Sequence, residues 1–456
     1  MTDTIAAVAT GAAVSAIGIV RVSGDDAIFA ANKVFFPSGG SRLVDVKSRH
    51  MQYGKLVDAD GVLIDLCLCV VSRKPDSYTG EDTVEFHCHG SPVVLAEALR
   101  ALFSNGVRQA DAGEFTKRAF LNGRMDLTQA EAVIDLIEAE SSASAHNAAA
   151  QLQGAISVRL ESIYSGLMDV VAHFHAIIDY PDEDIDEFSF MNYLPMLISC
   201  ESELLRLLST YERGRILRDG VPTAIVGRPN TGKSSLLNAL LGFQRAIVTD
   251  IPGTTRDTIE EKAMVGGILL RLIDTAGIRE ATDSIEQLGV ARALDALSGA
   301  GCVFLVLDGS MPFQDEDFEA LRAIPTGIPV LVVVNKSDLP CLIDDDTLSS
   351  LGLVFCRVSS LSGDGLEALA WSVKSAFPSL ALPSDGGIIT NARQADAISR
   401  ASCFIRGAID AIESSFTPDA VLTDVEGALS MVGELTGKVM REDIILRIFE
   451  RFCVGK

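Results

Sequence analysis

Residues 223–242 combine a short apolar run, a glycine-rich loop and a helical pattern. The loop reads GRPNTGKS from Gly227 to Ser234 and fits the pattern G-x-x-x-x-G-K-[ST]. Backbone N–H groups of such a loop converge on phosphate oxygens, the lysine ammonium reaches the outer phosphates, and the Ser/Thr hydroxyl can ligate Mg²⁺. A glycine turn before an ordinary helix is the simpler alternative, but strand, loop and helix in this order favour a phosphate-binding loop. The residues expected to contact the nucleotide here are Asn230, Thr231, Gly232, Lys233, Ser234 and Ser235, of which Lys233 is also a candidate catalytic group.

Four further stretches follow in the order expected of a guanine-nucleotide-binding domain. Each alone could be an ordinary turn between a strand and a helix, but together they favour such a domain. TDIPGTTRD (249–257) offers a hydroxyl for Mg²⁺, and DTAG (274–277) can hold the metal through water and the γ-phosphate through an N–H. NKSD (335–338) ends an apolar strand pattern, and its last carboxylate would accept two N–H bonds from guanine that adenine cannot donate, so GTP is favoured. VSS (358–360) would support the base from its backbone. The expected contacts are Thr249, Thr254, Thr255, Asp274, Thr275, Ala276, Gly277, Asn335, Lys336, Asp338 and Ser359.

One position departs from the Ras-like pattern. Directly after DTAG, where a glutamine would orient the attacking water, the chain has Ile278. An isoleucine side chain neither donates nor accepts a hydrogen bond. The hydrolytic group must therefore come from elsewhere, either from an associating GTPase in trans or from a second cation against the phosphates.

The elements that position these motifs follow from the sequence pattern. Between residues 218 and 380, apolar strand runs alternate with helical stretches, which predicts a mainly parallel, doubly wound Ras-like P-loop domain. Residues 1–118 show short alternating runs split by turn residues and predict an α+β domain. Residues 119–217 and 381–456 have apolar residues at helical spacing. We therefore expect a multidomain α/β and α+β chain, in which one discontinuous helical domain carries the 218–380 domain as an insertion.

Charge and cysteine content limit the partners and the compartment. The chain has 38 Lys+Arg and 62 Asp+Glu, a net charge of -24, so any RNA contact must be local or shared with a partner. Its 9 cysteines lack C-x-x-C spacing and indicate free thiols in a reducing cytoplasm. Residues 5–20 lack the basic flank of a signal peptide, and no apolar run approaches the ~18 residues of a membrane span.

Two local features give weaker signals. In YTGEDTVEFHCHG (78–90) a turn leads into a strand that would place Glu85, His87 and His89 on one face. Ordinary polar strand residues are favoured there over a metal site, because H-x-H alone is weak evidence. The acidic run YPDEDIDEF (180–188) is favoured as a solvated loop over a functional segment.

With these motifs, the chain resembles the MnmE (TrmE) family of tRNA-modification GTPases over almost its full length. The resemblance rests on GRPNTGKSSLLNALL, TDIPGTTRDT, DTAGIRE and NKSD, and on the flanking YTGEDTVEFHCHG, GEFTKRAFLNGRMDL and RFCVGK. It implies a GTPase that, with an FAD-containing partner of the MnmG family, installs a 5-carboxymethylaminomethyl or aminomethyl-type group on the wobble uridine of certain tRNAs. It also implies a homodimer, an α2β2 heterotetramer with that partner, and a one-carbon unit from 5-formyltetrahydrofolate or a related tetrahydrofolate derivative.

For the G domain, the resemblance implies activation by K⁺ and dimerisation across the nucleotide faces. The K⁺ ligands would be Asn230, Thr249, Ile251 and Thr254, and the Mg²⁺ ligands would be Ser234 and Thr255. Glu286 would be the catalytic residue that orients the attacking water through a bridging water; judged by its residue type alone, it would be an exposed helix residue. Arg256 and Arg279 would order loops.

For the N-terminal domain, the resemblance implies a folate-binding module that also forms the dimer. The folate contacts would be Arg21, Glu85, Arg124 and Lys456. Two departures concern this site: residue 124 is Arg where the family often has Lys, and the early loop reads TGAAVSA (10–16) in place of a P-P-G-type loop. Near the C-terminus, an inert Cys453 thiol is favoured over a catalytic one, because the sequence identifies no base beside it.

Two other functions remain open at the level of sequence. The chain could be a GTPase switch in RNA or ribosome assembly that has no modification chemistry of its own. It could also be a folate-dependent one-carbon transferase with a regulatory G domain. Because the flanking motifs resemble the tRNA-modification family as well, we favour that function.

Overall fold

The computed structural model describes residues 3–11, 13–179, 190–243, 260–274, 297, 299–350, 352–378, 380, 387–439, 442–450 and 452–455. Contacts within the chain define two compact units. The first consists of Met1–Ile134, Leu152–His173 and Leu429–Lys456, and the second of Asp135–Gln151 and Phe174–Ala428. The four domain boundaries expected from sequence remain predictions.

The first unit contains a sheet with the strand order β3-β4-β5-β6-β2-β1-β7. All neighbours pair antiparallel except β1 and β7, which are parallel. The strands are β1 (Ile5–Val8), β2 (Ser15–Ser23), β3 (Phe35–Pro37), β4 (Met51–Val57), β5 (Leu63–Ser72), β6 (Thr83–Gly90) and β7 (Arg108–Gln109). Two helices, α1 (Ala27–Val34) and α2 (Pro92–Phe103), pack on one face, where Ile28, Leu102 and Phe86 share one buried cluster. The predicted α+β architecture is confirmed for this part of the chain.

Helices follow this sheet along the chain. They are α3 (Glu114–Leu121), α4 (Leu127–Ile137), α5 (Ser142–Leu152) and α6 (Ala155–Asp179). The last described helix, α15 (Glu442–Phe449), packs near the start of α4, since Leu127 and Ala130 share a buried cluster with Phe449 and Phe452. Residues that lie more than three hundred positions apart in sequence thus form one helical core, as expected for a discontinuous helical region.

The second unit contains a sheet with the strand order β13-β12-β11-β8-β10-β9. Only the β9–β10 pairing is antiparallel. The strands are β8 (Val221–Val226), β9 (Glu260–Val265), β10 (Ile268–Asp274), β11 (Cys302–Asp308), β12 (Val330–Asn335) and β13 (Val354–Arg357). Phe304 and Leu305, neighbours on β11, belong to two different buried clusters, so both faces of the sheet are covered. The described helices around it are α9 (Lys233–Phe243), α10 (Asp315–Arg322), α11 (Asp345–Ser350) and α12 (Leu366–Ala376). This is the predicted doubly wound P-loop domain.

The remaining helices of the second unit form a helical layer. They are α7 (Leu194–Leu208), α8 (Tyr211–Asp219) and α13 (Ala392–Glu413), and α14 (Pro418–Thr436) begins here. The guanidinium of Arg406 on α13 binds the buried carboxylate of Glu201 on α7, with Nε 2.7 Å from Oε1. Among the helices that the structure describes, none combines the length and the apolar composition that crossing a bilayer requires.

Candidate nucleotide-binding site

The phosphate-binding loop connects the buried strand β8 to helix α9, which begins at Lys233. Gly227 and Gly232 both have positive φ angles, +147° and +94°. A Cβ atom at Gly227 would lie 2.2 Å from the backbone oxygen of Val306, and one at Gly232 would lie 2.2 Å from Nδ2 of Asn335. Because neither contact is possible, both positions require glycine, and the loop closes tightly around the start of α9. The backbone therefore forms an anion-binding concavity at a helix N-terminus.

The Lys233 ammonium lies inside this loop. Its Nζ donates to the backbone oxygens of Gly227, 2.9 Å away, and Arg228, 2.7 Å away. The Thr231 hydroxyl, which is buried, donates to the same Arg228 oxygen at 3.1 Å. These hydrogen bonds hold the positive charge of Lys233 where we expect the outer phosphates of the nucleotide to bind. Ser234 and Ser235, at the start of α9, are exposed, and Asn230 is exposed in the left-handed conformation with φ 64°.

The NKSD motif begins at the last residue of β12, and its first side chain joins two loops. Nδ2 of Asn335 donates to the backbone oxygen of Thr231 at 2.9 Å. Its Oδ1 accepts from the backbone N–H of Ser360 at 3.1 Å and from the Ser360 hydroxyl at 2.8 Å. Only 2% of Asn335 is exposed, so these hydrogen bonds are not exchanged for water. The structure therefore brings the phosphate loop, NKSD and VSS together; their contacts with a nucleotide stay a prediction.

The Asp338 carboxylate is exposed and is oriented by the loop after β13. The buried Ser359 hydroxyl donates to Asp338 Oδ1 at 2.6 Å. One carboxylate oxygen is thus fixed, and the group faces solvent where a base with two N–H donors could reach it. This geometry agrees with the predicted guanine contact.

Sequence reasoning missed Asp308, the last residue of β11. Its Oδ2 accepts from Nζ of Lys336 at 2.5 Å, and the Ser310 hydroxyl donates to its Oδ1 at 2.6 Å. Burial raises the pKa of Asp308, but the hydrogen bonds from Lys336 and Ser310 outweigh it, so this pKa lies below its usual value. Asp308 could have been found from the rule that the carboxyl ends of parallel strands meet at one edge of a sheet.

Sequence reasoning also missed the anchor of Arg228. Its Nε lies 2.7 Å from Oδ1 of Asp317, which is fully buried at the start of α10, and Nη1 donates to Gln314. Gln314 and Asp317 also form the capping box of that helix. No sequence signal identified this contact, because Arg228 occupies a variable position of the loop motif and Asp317 lies 89 residues away.

Several predicted nucleotide-site residues lie outside the described residues. Strand β10 ends at Asp274, whose backbone alone is described. The others are Thr249, Ile251, Thr254, Thr255, Arg256, Thr275, Ala276, Gly277, Arg279 and Glu286. The K⁺ set, the Thr255 Mg²⁺ ligand and the catalytic glutamate therefore remain predictions, and so does the acidic run at 180–188.

A second predicted site lies on the sheet of the first unit. Arg21 on β2 is directly opposite Glu85 on β6, and Nε of Arg21 lies 2.7 Å from Oε1 of Glu85. The guanidinium also stands over the rings of Tyr78 and Phe115, at 5.2 Å and 5.7 Å from their centroids. Arg124, which is exposed, lies close to Gly80, because a Cβ there would be 3.2 Å from Arg124 Cγ. Lys456 lies outside the described residues.

The H-x-H pair on β6 makes no metal centre with Glu85 in the part of the chain that the structure describes. Nε2 of His87 lies 3.6 Å from Oε2 of Glu85, whereas Nδ1 of His89 lies 2.7 Å from Oδ1 of Asp65. Each histidine thus lies beside a carboxylate, and the interpretation as ordinary polar strand residues stays a prediction.

The C-terminal tail packs beside the same sheet. Val454 forms a bridge with Ala112, and Gly455 has a φ of +102° and approaches the backbone oxygen of Val8 so closely that no Cβ fits. Cys453 is exposed, and its backbone oxygen accepts from Gly113 at 3.3 Å. The catalytic alternative for this thiol remains a prediction.

An ionic network around the buried Arg118 supports the turn before β6. Arg118 on α3 binds Oε2 of Glu81 at 3.1 Å, Oε1 of Glu114 at 2.9 Å and Oδ1 of Asp3 at 2.8 Å. Arg108 binds the same Glu114 at 2.7 Å and Asp3 at 2.6 Å. The network fixes Glu81 within the YTGED turn, which leads into the strand β6 that carries Glu85.

Fold and site together define a P-loop protein of the guanine-nucleotide-binding class. A model of the TrmE N-terminus, described as a GTP-binding protein, matches residues 4–124, and a model of the MnmE helical domain matches residues 127–453. The chain belongs to the MnmE family of tRNA modification GTPases, which confirms the family resemblance and the expectation of a GTPase.

The similarity to individual relatives extends over the whole chain. The tRNA modification GTPase MnmE of Thermoanaerobacter pseudethanolicus is 42% identical over 460 residues, which cover 100% of this chain and 99% of that protein. That of Geobacillus thermodenitrificans is 42% identical over 464 residues, with the same coverage. A solved structure of the G domain of the T. maritima FeoB iron transporter is 30% identical, covers 35% of this chain and 98% of that chain, and has a TM-score of 0.26.

Proposed function

We propose that this chain hydrolyses GTP to drive modification of the wobble uridine of certain tRNAs, together with an FAD-containing partner of the MnmG family. The reaction would place a 5-carboxymethylaminomethyl or aminomethyl-type group on C5 of that uridine. The observation that carries the proposal is the meeting of the phosphate loop, Asn335 and Asp338 at one sheet edge, in a chain whose full length matches tRNA modification GTPases.

The nucleotide would be held by groups whose positions support that role. The loop closed by Gly227 and Gly232 offers N–H donors, and Lys233 brings a positive charge to the phosphates. Ser234 and Thr255 would hold Mg²⁺, which when bound neutralises charge on the phosphate oxygens. Asp338, oriented by Ser359, would accept the guanine N–H groups.

Hydrolysis would depend on K⁺ and on dimerisation of the G domains. Ile278 occupies the position of the water-orienting glutamine and cannot orient water. A residue elsewhere in the chain must therefore do so, and Glu286 is our candidate. Asn230, Thr249, Ile251 and Thr254 would hold K⁺, which when bound supplies positive charge beside the phosphates.

The cation dependence is tested by measuring GTP turnover in KCl and in NaCl at equal ionic strength. We expect faster turnover in KCl, and a loss of that difference in Asn230→Ala. Asn238→Ala, at an exposed position on α9, is the matched control. Equal rates in both salts would contradict the K⁺ mechanism, and normal turnover by Glu286→Ala would remove Glu286 from it.

The first unit would bind 5-formyltetrahydrofolate or a related one-carbon carrier. The direct contact between Arg21 and Glu85 supports a role for Arg21 in orienting the Glu85 carboxylate toward an amino-pyrimidine edge. Arg124 and Lys456 are then the candidate partners of the glutamyl carboxylates. Binding of the carrier to wild type and Arg21→Ala with equal affinity would exclude Arg21 from the site.

The same unit would form the homodimer. On the side of its sheet opposite α1 and α2, large apolar side chains are exposed on β3, β4 and β5: Phe36, Met51, Tyr53, Leu66 and Leu68. Tyr53 and Leu68 are direct cross-strand neighbours, so the patch is contiguous there. Contiguous exposed apolar surface is typical of an interaction site, which supports this face as the dimer contact. Sedimentation of wild type and Tyr53→Glu tests it; a dimer that persists in the variant would argue against this face.

The partner and the tRNA would meet this chain locally. The net charge of -24 disfavours binding of nucleic acid by the overall field, so we assign most of the tRNA contact to the MnmG-family protein in an α2β2 complex in the cytoplasm. Light scattering of the mixed proteins measures the stoichiometry, and the absence of a complex would contradict this assignment.

The decisive experiment is mass spectrometry of tRNA nucleosides from cells that lack this chain. We expect the C5-modified wobble uridine to be lost, restored by wild type and not restored by Lys233→Ala. Lys262→Ala, an exposed lysine paired with Glu140 outside the site, should restore it. An unchanged nucleoside profile would favour a GTPase switch in RNA or ribosome assembly.

A further inference from the structure

Three side chains of types that bind metal ions lie close together in the sheet of the first unit, and they are separate from the sites described above. They are Asp65 and Cys67 on β5 and Cys88 on β6, and their ligand atoms all lie within 4.8 Å of one another. The described residues contain no other such group of His, Cys, Asp and Glu. None of the nucleotide, folate or dimer contacts proposed above uses these three residues.

Strand register explains why the three side chains meet. Asp65 and Cys67 are two residues apart on β5 and therefore lie on the same face of the sheet. Strands β5 and β6 are antiparallel with Leu68 opposite His87, so the next pair places Cys67 opposite Cys88. Directly opposed residues share a face, and the two sulfur atoms thus meet beneath the sheet.

Burial and hydrogen bonding prepare the group for a ligand. Cys67 is 4% exposed and Cys88 is 1% exposed. The carboxylate of Asp65, nearly as buried, accepts from the backbone N–H of His89 at 2.8 Å and contacts the His89 ring nitrogen Nδ1 at 2.7 Å. The His89 side chain is 74% exposed, which places the Asp65 end of the group near solvent. Outer partners of this kind fix the orientation of a ligating carboxylate.

We propose that Asp65, Cys67 and Cys88 form a binding site for one zinc-type divalent ion. Two thiolates and one carboxylate are the donors that Zn²⁺ and Co²⁺ accept, whereas Mg²⁺ and Ca²⁺ require oxygen ligands. Zinc takes four ligands, so three protein groups leave one position for water. The ion would link β5 to β6, the strand that also carries Glu85.

Binding must displace thiol protons. A free cysteine thiol has a pKa of about 8.5, so it is mostly protonated at neutral pH before a metal binds. A metal ion deprotonates the thiols that bind it. Proton release on metal addition is therefore an expected signature of the site, and the affinity should rise with pH.

The test is a Co²⁺ titration of the reduced full-length chain, followed by thiolate-to-cobalt charge-transfer absorption and by proton release in weak buffer. We expect one ion per chain and a loss of affinity of at least about tenfold in Cys67→Ala. Cys69→Ala is the matched control, because Cys69 is equally buried on the same face of the same strand but lies outside the three-residue group. Its Co²⁺ affinity should stay within about twofold of wild type, a change below ~0.5 kcal/mol.

Asp65→Asn keeps the size of the side chain and gives a second variant if loss of the core thiol impairs folding. It should also weaken Co²⁺ binding about tenfold, while circular dichroism shows a folded chain. No thiolate absorption, or equal binding by Cys67→Ala, Asp65→Asn and wild type, would overturn the proposal. A disulfide between Cys67 and Cys88 in the purified chain, with no Co²⁺ uptake after its reduction, would also overturn it, and would identify the pair as a redox couple.

Discussion

Asn335 donates a hydrogen bond from Nδ2 to the backbone oxygen of Thr231, 2.9 Å away, and so joins the end of β12 to the phosphate loop. The same side chain accepts two hydrogen bonds from Ser360. One buried amide thus fixes the relative positions of the loop expected to bind phosphate and the loop expected to support the base. Nucleotide affinity should depend on this amide even though its own nitrogen is already engaged within the protein.

Replacing Asn335 by alanine should weaken nucleotide binding. The change removes the side-chain partner of the backbone oxygen of the buried Thr231 and of the N–H of the half-buried Ser360, at a cost of roughly 1–3 kcal/mol. We expect the affinity for GDP to fall by about tenfold or more in calorimetric titration. Asn105→Ala is the control, because it also removes a side-chain bond to a backbone oxygen, but just after the end of α2 and outside the G domain. Equal GDP affinity in all three proteins would show that the Asn335 link does not position the site.

Replacing Asp338 by asparagine should change the base preference. Xanthine has a carbonyl oxygen where guanine has its amino group. The NH2 group that Asp338→Asn puts in place of one carboxylate oxygen can donate to that carbonyl, but it cannot accept from the guanine amine. The Ser359 hydroxyl can still donate to Oδ1 and orient the new side chain. In competition binding, the preference for GTP over XTP should reverse, with a change of at least ~100-fold.

Asp364→Asn provides the control for that experiment. Asp364 also accepts from a serine hydroxyl, that of Ser362, in the same loop, but it is not expected to face the base. Its GTP preference should equal that of wild type. A variant at Asp338 that retains the wild-type preference would mean that the base does not bind at this carboxylate.

Short contiguous motifs in the sequence indicated the parts of the candidate site that the structure brings together. The phosphate loop, Asn335, Asp338 and Ser359 meet because each follows a strand of a parallel sheet, whose carboxyl ends lie at one edge. Arg228–Asp317 and Arg21–Glu85 show the limit of such reasoning. Each contact joins two residues more than 60 positions apart in sequence. The placement of a helix brings Asp317 to Arg228, and strand register brings Glu85 to Arg21; the spacing of motifs specifies neither.

Removing the Arg118 guanidinium should strongly destabilise the first unit. Its side chain is 9% exposed and is bonded to Glu81, Glu114 and Asp3. Arg118→Met would leave the buried Glu81 carboxylate without its cation, whereas Glu114 and Asp3 keep Arg108. Breaking a buried ion pair from one side typically costs about 3–5 kcal/mol. Urea unfolding measures the loss. Arg42→Met breaks an exposed ion pair and should cost less than about 1 kcal/mol; similar losses for both variants would contradict the network's role.

The same network should make stability fall in acid. The hydrogen bond from Arg108 lowers the pKa of Asp3. Burial raises the pKa of Glu114, but hydrogen bonds from Arg108, the Asp111 N–H and Arg118 outweigh it and lower this pKa below its usual value. A carboxyl group whose pKa is lowered in the folded chain stabilises the fold when the pH is above the pKa of the unfolded chain, about 3.9 for Asp and about 4.3 for Glu. This stabilisation is lost as the pH falls through the lower pKa of the folded chain.

Thermal melts from pH 7 to pH 3 test this dependence. The difference in Tm between wild type and Arg108→Gln should be constant at neutral pH and should shrink below about pH 4, as the carboxyl groups become protonated. A difference that is the same at pH 3 and pH 7 would show that Arg108 stabilises the fold by packing and not by charge.

The Arg21–Glu85 pair should act on the one-carbon carrier as a single unit. Arg21 lies 2.7 Å from Glu85 and is held over Tyr78 and Phe115, so its guanidinium is positioned to orient the carboxylate. Arg21→Met and Glu85→Gln should each weaken binding of 5-formyltetrahydrofolate by about tenfold or more, and the double variant should be little worse than either. Fluorescence titration gives the three affinities, with Arg100→Met, which breaks an exposed ion pair on α2, as the control. If the two losses simply add, the residues contact the carrier independently; if neither variant loses affinity, the folate site lies elsewhere on the chain.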